Sequence, residues 1–514
     1  MLSDIDIKIK KIVNEYDEYL DKKSNDVLHR DFFHSNITLS RNHLIGSNLL
    51  INLIKNSVLK LNFLNLLKNI LFFYTRNIYY LCLWLIYYIF SKIISFKKMN
   101  KLKNKIEKII IIQTYLNKNS FIGDDKISDK YFSELYCCLK KNNQFYYILP
   151  NIDEKMIDIS NRLKIIRVLS STSNSYLNEY DFFSFSDFIK IIKFILLYPF
   201  QVIEHALRVK SNTRIDQLYK YDLIQTLSKS SFIPYTQLLL GKNLRKIFKN
   251  KIVKIISWNE NQLIHRNFCR GIQGSNIKIY GCQYFMKYPS CRWMYAREND
   301  KKFGVLPNIL LVTGKKYLPE TSELKYKIGT SLRYRDVYNT ENQAKKLSTV
   351  SMIVMLPYEQ EQSENLLDFI KNSKYLKMLN INIKIHPDYL HRTQFYKSKI
   401  NKNWKIVDNK TDLTRYNIII TKASGSIIEF IAKGFSVLVV EDNNNPLALN
   451  PLSHEGKKII WDTINDPRNF KTSIDKLYEN RNKKLDLINN IRNQYKKNYF
   501  KEFSENELKK DFDI

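Results

Sequence analysis

The stretch TKASGSIIEFIAKG, Thr421 to Gly434, decides the fold of this 514-residue chain. It follows the apolar run YNIII (Tyr416–Ile420) and precedes SVLVVE (Ser436–Glu441). Short β-branched runs of this kind are buried parallel strands. Small residues Ala423, Ser424, Gly425 and Ser426 turn the chain, a helix starts near Ser426, and Gly434 stops it. Strand, tight turn, helix and strand is one unit of a doubly wound sheet. The small side chains let a ligand approach the backbone, where free N–H groups and two serine hydroxyls suit an anion such as phosphate. A local reading competes: Ser426 and Glu429 have the spacing of a capping box, with Glu429 reaching back to the helix start.

The same alternation extends outward in both directions. Strands are expected at NILLVTG (Asn308–Gly314), TVSMIVMLP (Thr349–Pro357), NINIKIHP (Asn380–Pro387) and near WKIVD (Trp404–Asp408). Helices are expected between them and at FKTSIDKLYENR (Phe470–Arg481). A second alternating block lies upstream. It has strands at KIIIIQTY (Lys108–Tyr115), FYYILP (Phe145–Pro150), KIVKIISW (Lys251–Trp258) and IKIYGCQ (Ile277–Gln283). The expected class is α/β, with two Rossmann-like doubly wound domains and a nucleotide at the carboxyl ends of the strands. The boundaries read as a helical region 1–100, a first sheet domain 105–300 with a helical insertion 160–240, a second sheet domain 301–480, and a helical tail 481–514.

Residues 61–96 are strongly apolar, but the uninterrupted run IYYLCLWLIYYIF covers only Ile78–Phe90. A spanning helix needs about 20 apolar residues. An interfacial or re-entrant helix is therefore expected, with a buried core helix as the alternative. The segment Asp187–Val209 has the same character, with Lys190 and Lys193 beside its apolar face and Pro199 expected to kink or end it. Two such helices favour attachment to an anionic membrane surface. The N-terminus carries no signal-peptide pattern. The six cysteines show no metal-ligand spacing, and Cys137 and Cys138 are expected to pack as thiols in a helix. This fits a cytoplasmic protein at the inner face of the cell membrane. No metal site and no cofactor beyond a co-substrate are expected.

The formal charge of +33 points to an anionic partner, or to a source rich in lysine and asparagine. A nucleic-acid binder would also carry such charge. The chain has no zinc finger, no RNA-recognition signature and no basic stripe interleaved with aromatics, so no nucleic acid is expected.

Candidate residues gather at strand ends. His386, held extended by Pro387, leaves the edge of NINIKI and can donate to a phosphate or ribose, or simply cap a loop. Glu260, in SWNENQ, stands where a strand becomes a helix and has the position of a general base; helix-start glutamates are also common for dipole reasons alone. Asp124 and Asp125, in the loop after the first strand, are further carboxylates for that role, or turn residues.

These motifs, in their order, resemble the two-Rossmann (GT-B) glycosyltransferases, and more narrowly bacterial surface-carbohydrate biosynthesis proteins and enzymes using cytidine-activated donors. The order is WNENQ, GCQYF, LPNILLVTG, IGTSLRY, KIHP and ASGSIIEFIAKG, over about residues 105–480. In sialyl- and Kdo transferases a His-Pro pair and a serine-rich helix start bind the CMP part of the donor. The resemblance puts His386, Pro387, Ser424, Gly425 and Ser426 in that role, and Glu429 at the ribose. It implies transfer of a sugar, from a CMP-sugar by preference, to a surface-polysaccharide or lipid-linked acceptor, with Asp124, Asp125 or Glu260 taking the acceptor's proton. UDP-sugar epimerases and CDP-glycerol-type transferases share the small-residue turn. Two departures stand out. Tyr284 replaces the histidine of a Gly-x-Gln-His pattern, and Lys126 replaces the glycine that follows the paired acids in sialyltransferases.

Overall fold

The computed structural model describes residues 4–39, 62–103, 108–116, 120–122, 126–152, 158–171, 175–248, 251–274, 276–287, 294–339, 349–408, 410–422, 424–441, 452 and 455–514. Two six-stranded, all-parallel sheets form the frame. The chain begins with helices α1 (Asp4–Asn25) and α2 (Phe63–Lys103). The first sheet follows: β1 (Ile109–Leu116), α3 (Ser133–Lys141), β2 (Tyr146–Ile152), the helices α4 (Ile159–Ser171), α5 (Phe185–Arg208), α6 (Arg214–Leu227) and α7 (Ile233–Phe248), then β3 (Ile252–Trp258), α8 (Leu263–Ile272), β4 (Lys278–Gln283), β5 (Ile309–Val312) and β6 (Tyr326–Ile328). Its order is β2-β1-β3-β4-β5-β6, with a lone parallel bridge between Tyr176 and Ile148 outside β2.

The second sheet comprises β7 (Met352–Met355), α9 (Gln360–Lys371), β8 (Asn382–Lys384), β9 (Lys405–Ile406), β10 (Ile418–Lys422), α10 (Ser426–Ala432), β11 (Ser436–Val440) and β12 (Trp461–Ile464). Its order is β9-β8-β7-β10-β11-β12, the 3-2-1-4-5-6 order of a doubly wound nucleotide-binding sheet. Helices α11 (Phe470–Lys483), α12 (Leu485–Tyr499) and α13 (Glu505–Phe512) finish the chain. This is the two-Rossmann, or GT-B, arrangement expected from the sequence.

Each sheet is covered on both faces. Ile109–Ile112 and Ile418–Ile420 are almost wholly inaccessible, as parallel strands between two helix layers must be. Ile110, Ile112 and Trp258 on one face of the first sheet pack with Leu508 and Phe512 of α13, while the other face joins the helical body of α1, α2 and α4–α8.

Two expectations are corrected. NILLVTG belongs to the first sheet, since β5 pairs with β4 and β6 with β5; the first sheet therefore ends near residue 328, beyond the expected boundary at 301. Periodicity finds a buried strand without saying which sheet it joins. Nor does the segment after 481 hang off the second domain as a tail. α12 packs on α10, Tyr499 stacks edge-on to Tyr317, and α13 lies over the first sheet, where Asp511 accepts from the Thr330 amide.

Helices α7 and α8 cross at glycine on glycine. A Cβ on Gly271 would stand 2.4 Å from the Leu238 carbonyl oxygen and 2.9 Å from Gly241 Cα. Nearby, Arg266 and Asp300 form a two-pronged ion pair with both N···O distances 2.9 Å, and both side chains are almost fully buried.

Helix α2 is, among the described residues, the one helix long and apolar enough over Phe63–Ser95 to cross a membrane. One of its faces is fixed to the helical body. Asn77 donates from Nδ2 to Ser230 O (3.2 Å) and accepts from the Phe232 amide (2.9 Å), Trp84 packs on Phe183, and Ser91 and Ser95 bind the Asp181 carboxylate. Its opposite face exposes Leu64, Leu67, Leu71, Ile78, Ile89 and Ile93. Beside it, α5 exposes Phe185, Ile189, Leu196, Phe200 and Leu207, which fall within about 60° of arc at 100° per residue. Pro199 lies inside α5 without ending it, and the helix runs on to Arg208. Cys138 is buried as expected, but Cys137 is exposed.

Candidate functional site

The crevice at the carboxyl edge of the second sheet opens between β7 and β10, where the strand order reverses. Lys384 of β8 pairs with Met355 of β7, and Met355 with Thr421 of β10, so the three strand ends lie in one row. At the usual strand spacing, the exits leading to His386 and to Ser424 are roughly 10 Å apart, about the span of a nucleotide phosphate and its ribose. Thr421 ties the row together by donating from Oγ1 to Met355 O at 2.9 Å. The His386 ring is half-buried and meets Tyr358, on the β7 exit, edge-on at 5.2 Å.

At the β10 exit, Ser424 Oγ and Ser426 Oγ are 3.0 Å apart, and α10 begins directly behind them. The capping box does not form. Gly425 is the N-cap residue in right-handed conformation and offers no side-chain cap, and Glu429 instead pairs with Lys433 at 2.7 Å. Ser424 Oγ accepts the Ser426 amide at 3.4 Å, so the first turn is met by Ser424, and Ser426 and Glu429 do not form the expected box. Gly434 ends α10 with φ +89°, and Phe435 N bonds back to Phe430 O at 3.0 Å, the left-handed stop that glycine supplies without strain. Ala423 lies outside the described residues.

On the first sheet the equivalent crevice opens between β1 and β3. Gln113 and Ser257 pair across it, and Ser257 donates to Gln113 Oε1 at 2.8 Å. Just beyond β3 stands Glu260. Trp258 Nε1 donates to its Oε1 (2.9 Å) and Gln262 Nε2 to its Oε2 (2.7 Å). Burial raises its pKa above the ordinary glutamate value, against the lowering pull of these two bonds and of Arg333. The next residue, Asn261, holds a left-handed φ of +59°, and its amide bonds to Asn259 Oδ1 at 2.9 Å. Asparagine tolerates that conformation where most residues do not. Asp124 and Asp125 lie outside the described residues.

Arg333 connects the two halves. It sits in the turn Leu332–Tyr334, between β6 of the first sheet and β7 of the second. Its guanidinium lies over the rings of Tyr334, Tyr131 and Trp258 at 5.5–6.0 Å. The neighbouring Tyr334 does most to raise its pKa, burial opposes this, and the charges of Tyr131, Glu429 and Glu260 add to the rise. Arg333 is nonetheless exposed to solvent in the segment that joins the two sheets. Sequence reading passed over Arg333 because the expected boundary at 301 placed it inside a domain; its position between the last strand of one sheet and the first of the next was the available signal.

Two further residues stand just past β4, and the first of them is the departure at the histidine position. Tyr284, at the histidine position, is fully buried beneath Gly329, whose Cβ would stand 2.5 Å from the Tyr284 hydroxyl. It is a core residue. Lys287, three residues on, is buried with Nζ donating to Gln283 Oε1 at 2.7 Å and lying over Tyr295 and Tyr326. Burial lowers its pKa to about 7.

No family model matches the chain, and no curated protein matches it. Solved structures with a similar outline include MurG of Acinetobacter baumannii (10% identity, TM-score 0.39, 76% of this chain and 99% of that one) and a glycosyltransferase from Rickettsia africae ESF-5 (13%, 0.39, 80% and 98%). A third is the UDP-GlcNAc 2-epimerase of Methanocaldococcus jannaschii (12%, 0.37, 73% and 91%).

Proposed function

We propose that this chain is a glycosyltransferase that moves a sugar from a nucleotide-activated donor to a surface-polysaccharide or lipid-linked acceptor, working at the inner face of the cell membrane. The observation that carries the reading is the position of Arg333: in the segment between the two sheets, it lies over Trp258, the residue that holds Glu260 at the first sheet's crevice. A donor in the second crevice has its phosphate beside His386, Ser424 and Ser426 and its ribose beside Glu429. A CMP-sugar is the favoured donor, on the strength of the His386-Pro387 and Ser424-Gly425-Ser426 pairing.

In this mechanism the acceptor hydroxyl loses its proton to Glu260 as its oxygen bonds to the anomeric carbon. The bond from that carbon to the donor phosphate breaks, and its electrons leave with the phosphate oxygen. A glutamate with a raised pKa is a better proton acceptor than an ordinary one. Arg333 and the two serine hydroxyls meet the charge that develops on the leaving phosphate. The exposed apolar faces of α2 and α5 support attachment to the leaflet in which a lipid-linked acceptor resides.

The test is release of free nucleotide from CMP-, UDP- and CDP-linked donors in the presence of acceptor-bearing membranes. CMP release that depends on the acceptor and disappears in Glu260→Gln is the expected result. Interconversion of a UDP-sugar without any acceptor would replace this reading with an epimerase.

A further inference from the structure

A second charged site lies away from the crevices, at the start of α5. A cavity of about 420 Å³ opens between the first turn of α5 and the last turns of α7. Lys190, Lys242, Arg245 and Lys246 line it, with Asp187 and Asn243 at its floor. The Asp187 carboxylate is turned inward. Its Oδ2 accepts from the Ser184 amide (3.0 Å), Ser184 Oγ (2.7 Å) and Asn243 Nδ2 (2.8 Å), and its Oδ1 from Lys190 Nζ (2.9 Å). The helix start is thus satisfied by its own capping box, and Lys190 is balanced by Asp187. Lys242 shares Asp31 with Arg270 at 2.8 Å, and Arg245 donates to the Gln273 carbonyl. Lys246 is exposed and has no hydrogen bond or ion pair among the described residues. With Asp187 set against Lys190, and Asp31 against both Lys242 and Arg270, the charges of Arg245 and Lys246 meet no carboxylate among the described residues, and the cavity keeps a surplus of positive charge.

The cavity's surroundings determine what it suits. Phe185, the first residue of α5, is 70% exposed beside it, and Ile189 follows one turn later at 53%. From there the apolar stripe of α5 runs the length of the helix, with Lys193 and Arg208 exposed on its flank and Lys210 exposed just past its end. A soluble phosphate compound would gain nothing from that stripe. A lipid meets both parts, with its anionic headgroup in the cavity and its chains along Phe185 and Ile189.

We propose that this cavity binds the phosphate-bearing headgroup of a membrane lipid, held by Lys242, Arg245 and Lys246, and so fixes how α5 lies on the leaflet. The inference deepens the membrane attachment read above and rests on it. It assigns the lipid a defined seat, where diffuse charge alone would give none.

The experiment is sedimentation of the full chain with vesicles of phosphatidylcholine alone or with added phosphatidic acid. Three variants accompany it. Lys242→Gln/Arg245→Gln/Lys246→Gln empties the cavity of charge; Lys193→Gln/Arg208→Gln/Lys210→Gln removes equal charge outside it; Phe185→Ser/Leu196→Ser/Phe200→Ser breaks the stripe. Circular dichroism confirms that each folds. The wild type is expected to prefer phosphatidic acid vesicles, and the cavity variant to bind them about a hundredfold more weakly. The flank variant should lose clearly less, and the stripe variant should bind neither vesicle. Equal losses in the cavity and flank variants would overturn the headgroup site while leaving membrane attachment intact. Failure of the wild type to bind any vesicle would overturn both. Release of bound protein by soluble glycerol 3-phosphate at concentrations matching vesicle phosphate would show a site for free phosphate compounds, and the lipid assignment would fall.

Discussion

The indole of Trp258 donates from Nε1 to Oε1 of Glu260 at 2.9 Å, across the exit of β3. With Gln262 on the other oxygen, this fixes the carboxylate's plane while burial raises its proton affinity. Glu260→Gln should therefore lower kcat by about a hundredfold to ten-thousandfold, the range for loss of a positioned general base. Donor affinity should change little. In the wild type, activity should fall as pH drops through a midpoint above the ordinary glutamate value of 4.5. A pH profile of kcat/KM checks this, and an acidic limb at or below that value would contradict the assignment.

Arg333 is expected to matter to both domains. Arg333→Gln keeps bulk and hydrogen bonding but removes the charge that Glu260 and Glu429 share. Relieved of that pull, the midpoint of the acidic limb should move upward, since Arg333 lowers the Glu260 pKa. The pH profile of the variant reads this directly, and a downward shift would show that Arg333 does not act on the base.

Gly271→Ala should destabilise the fold by roughly 1–3 kcal/mol, the cost of overpacking. Its Cβ would stand 2.4 Å from the Leu238 carbonyl, where backbone has to move. A control at Gly274→Ala is not equivalent, because that residue holds φ +78° and would be strained for a different reason. Urea unfolding, with unchanged slope and a lower midpoint, is the readout.

Lys287 links stability to pH. Below about pH 7 both folded and unfolded chains carry its proton, and the folded chain bears the cost of a buried charge. Between about 7 and the ordinary lysine value of 10.5, the unfolded chain holds the proton and the folded chain does not. The unfolded state binds more protons there, so this group's contribution makes stability rise with pH through that window. Lys287→Met should be more stable than wild type below pH 7, and the difference should shrink toward pH 10. Denaturant midpoints of the two proteins across this range measure it.

Much of this was legible in the sequence, for a physical reason. Strands buried on both faces, such as Ile109–Ile112 and Ile418–Ile420, read as continuous apolar runs whatever their neighbours, so both doubly wound sheets were visible. The sheet to which a run belongs depends on pairing partners, and β5 was therefore misassigned. The position of Glu260, two residues past a strand, is a local feature that the sequence displays by itself. At Ser426 and Glu429 the spacing also fits a capping box, which does not form because Glu429 is drawn to Lys433. Arg333 itself, and the burial of Tyr284 and Lys287, follow from contacts across tens of residues that no local pattern records.

On the reading proposed above, the second crevice holds a nucleotide at His386, Ser424 and Ser426. Calorimetric titration of the purified chain with CMP, CDP and UDP, repeated on His386→Ala and Ser424→Ala, tests it most directly. CMP is expected to bind best, and each substitution to weaken it about tenfold to a hundredfold, the worth of one hydrogen bond to a charged group. Binding that is unchanged in both variants, or no binding of any nucleotide, would contradict it.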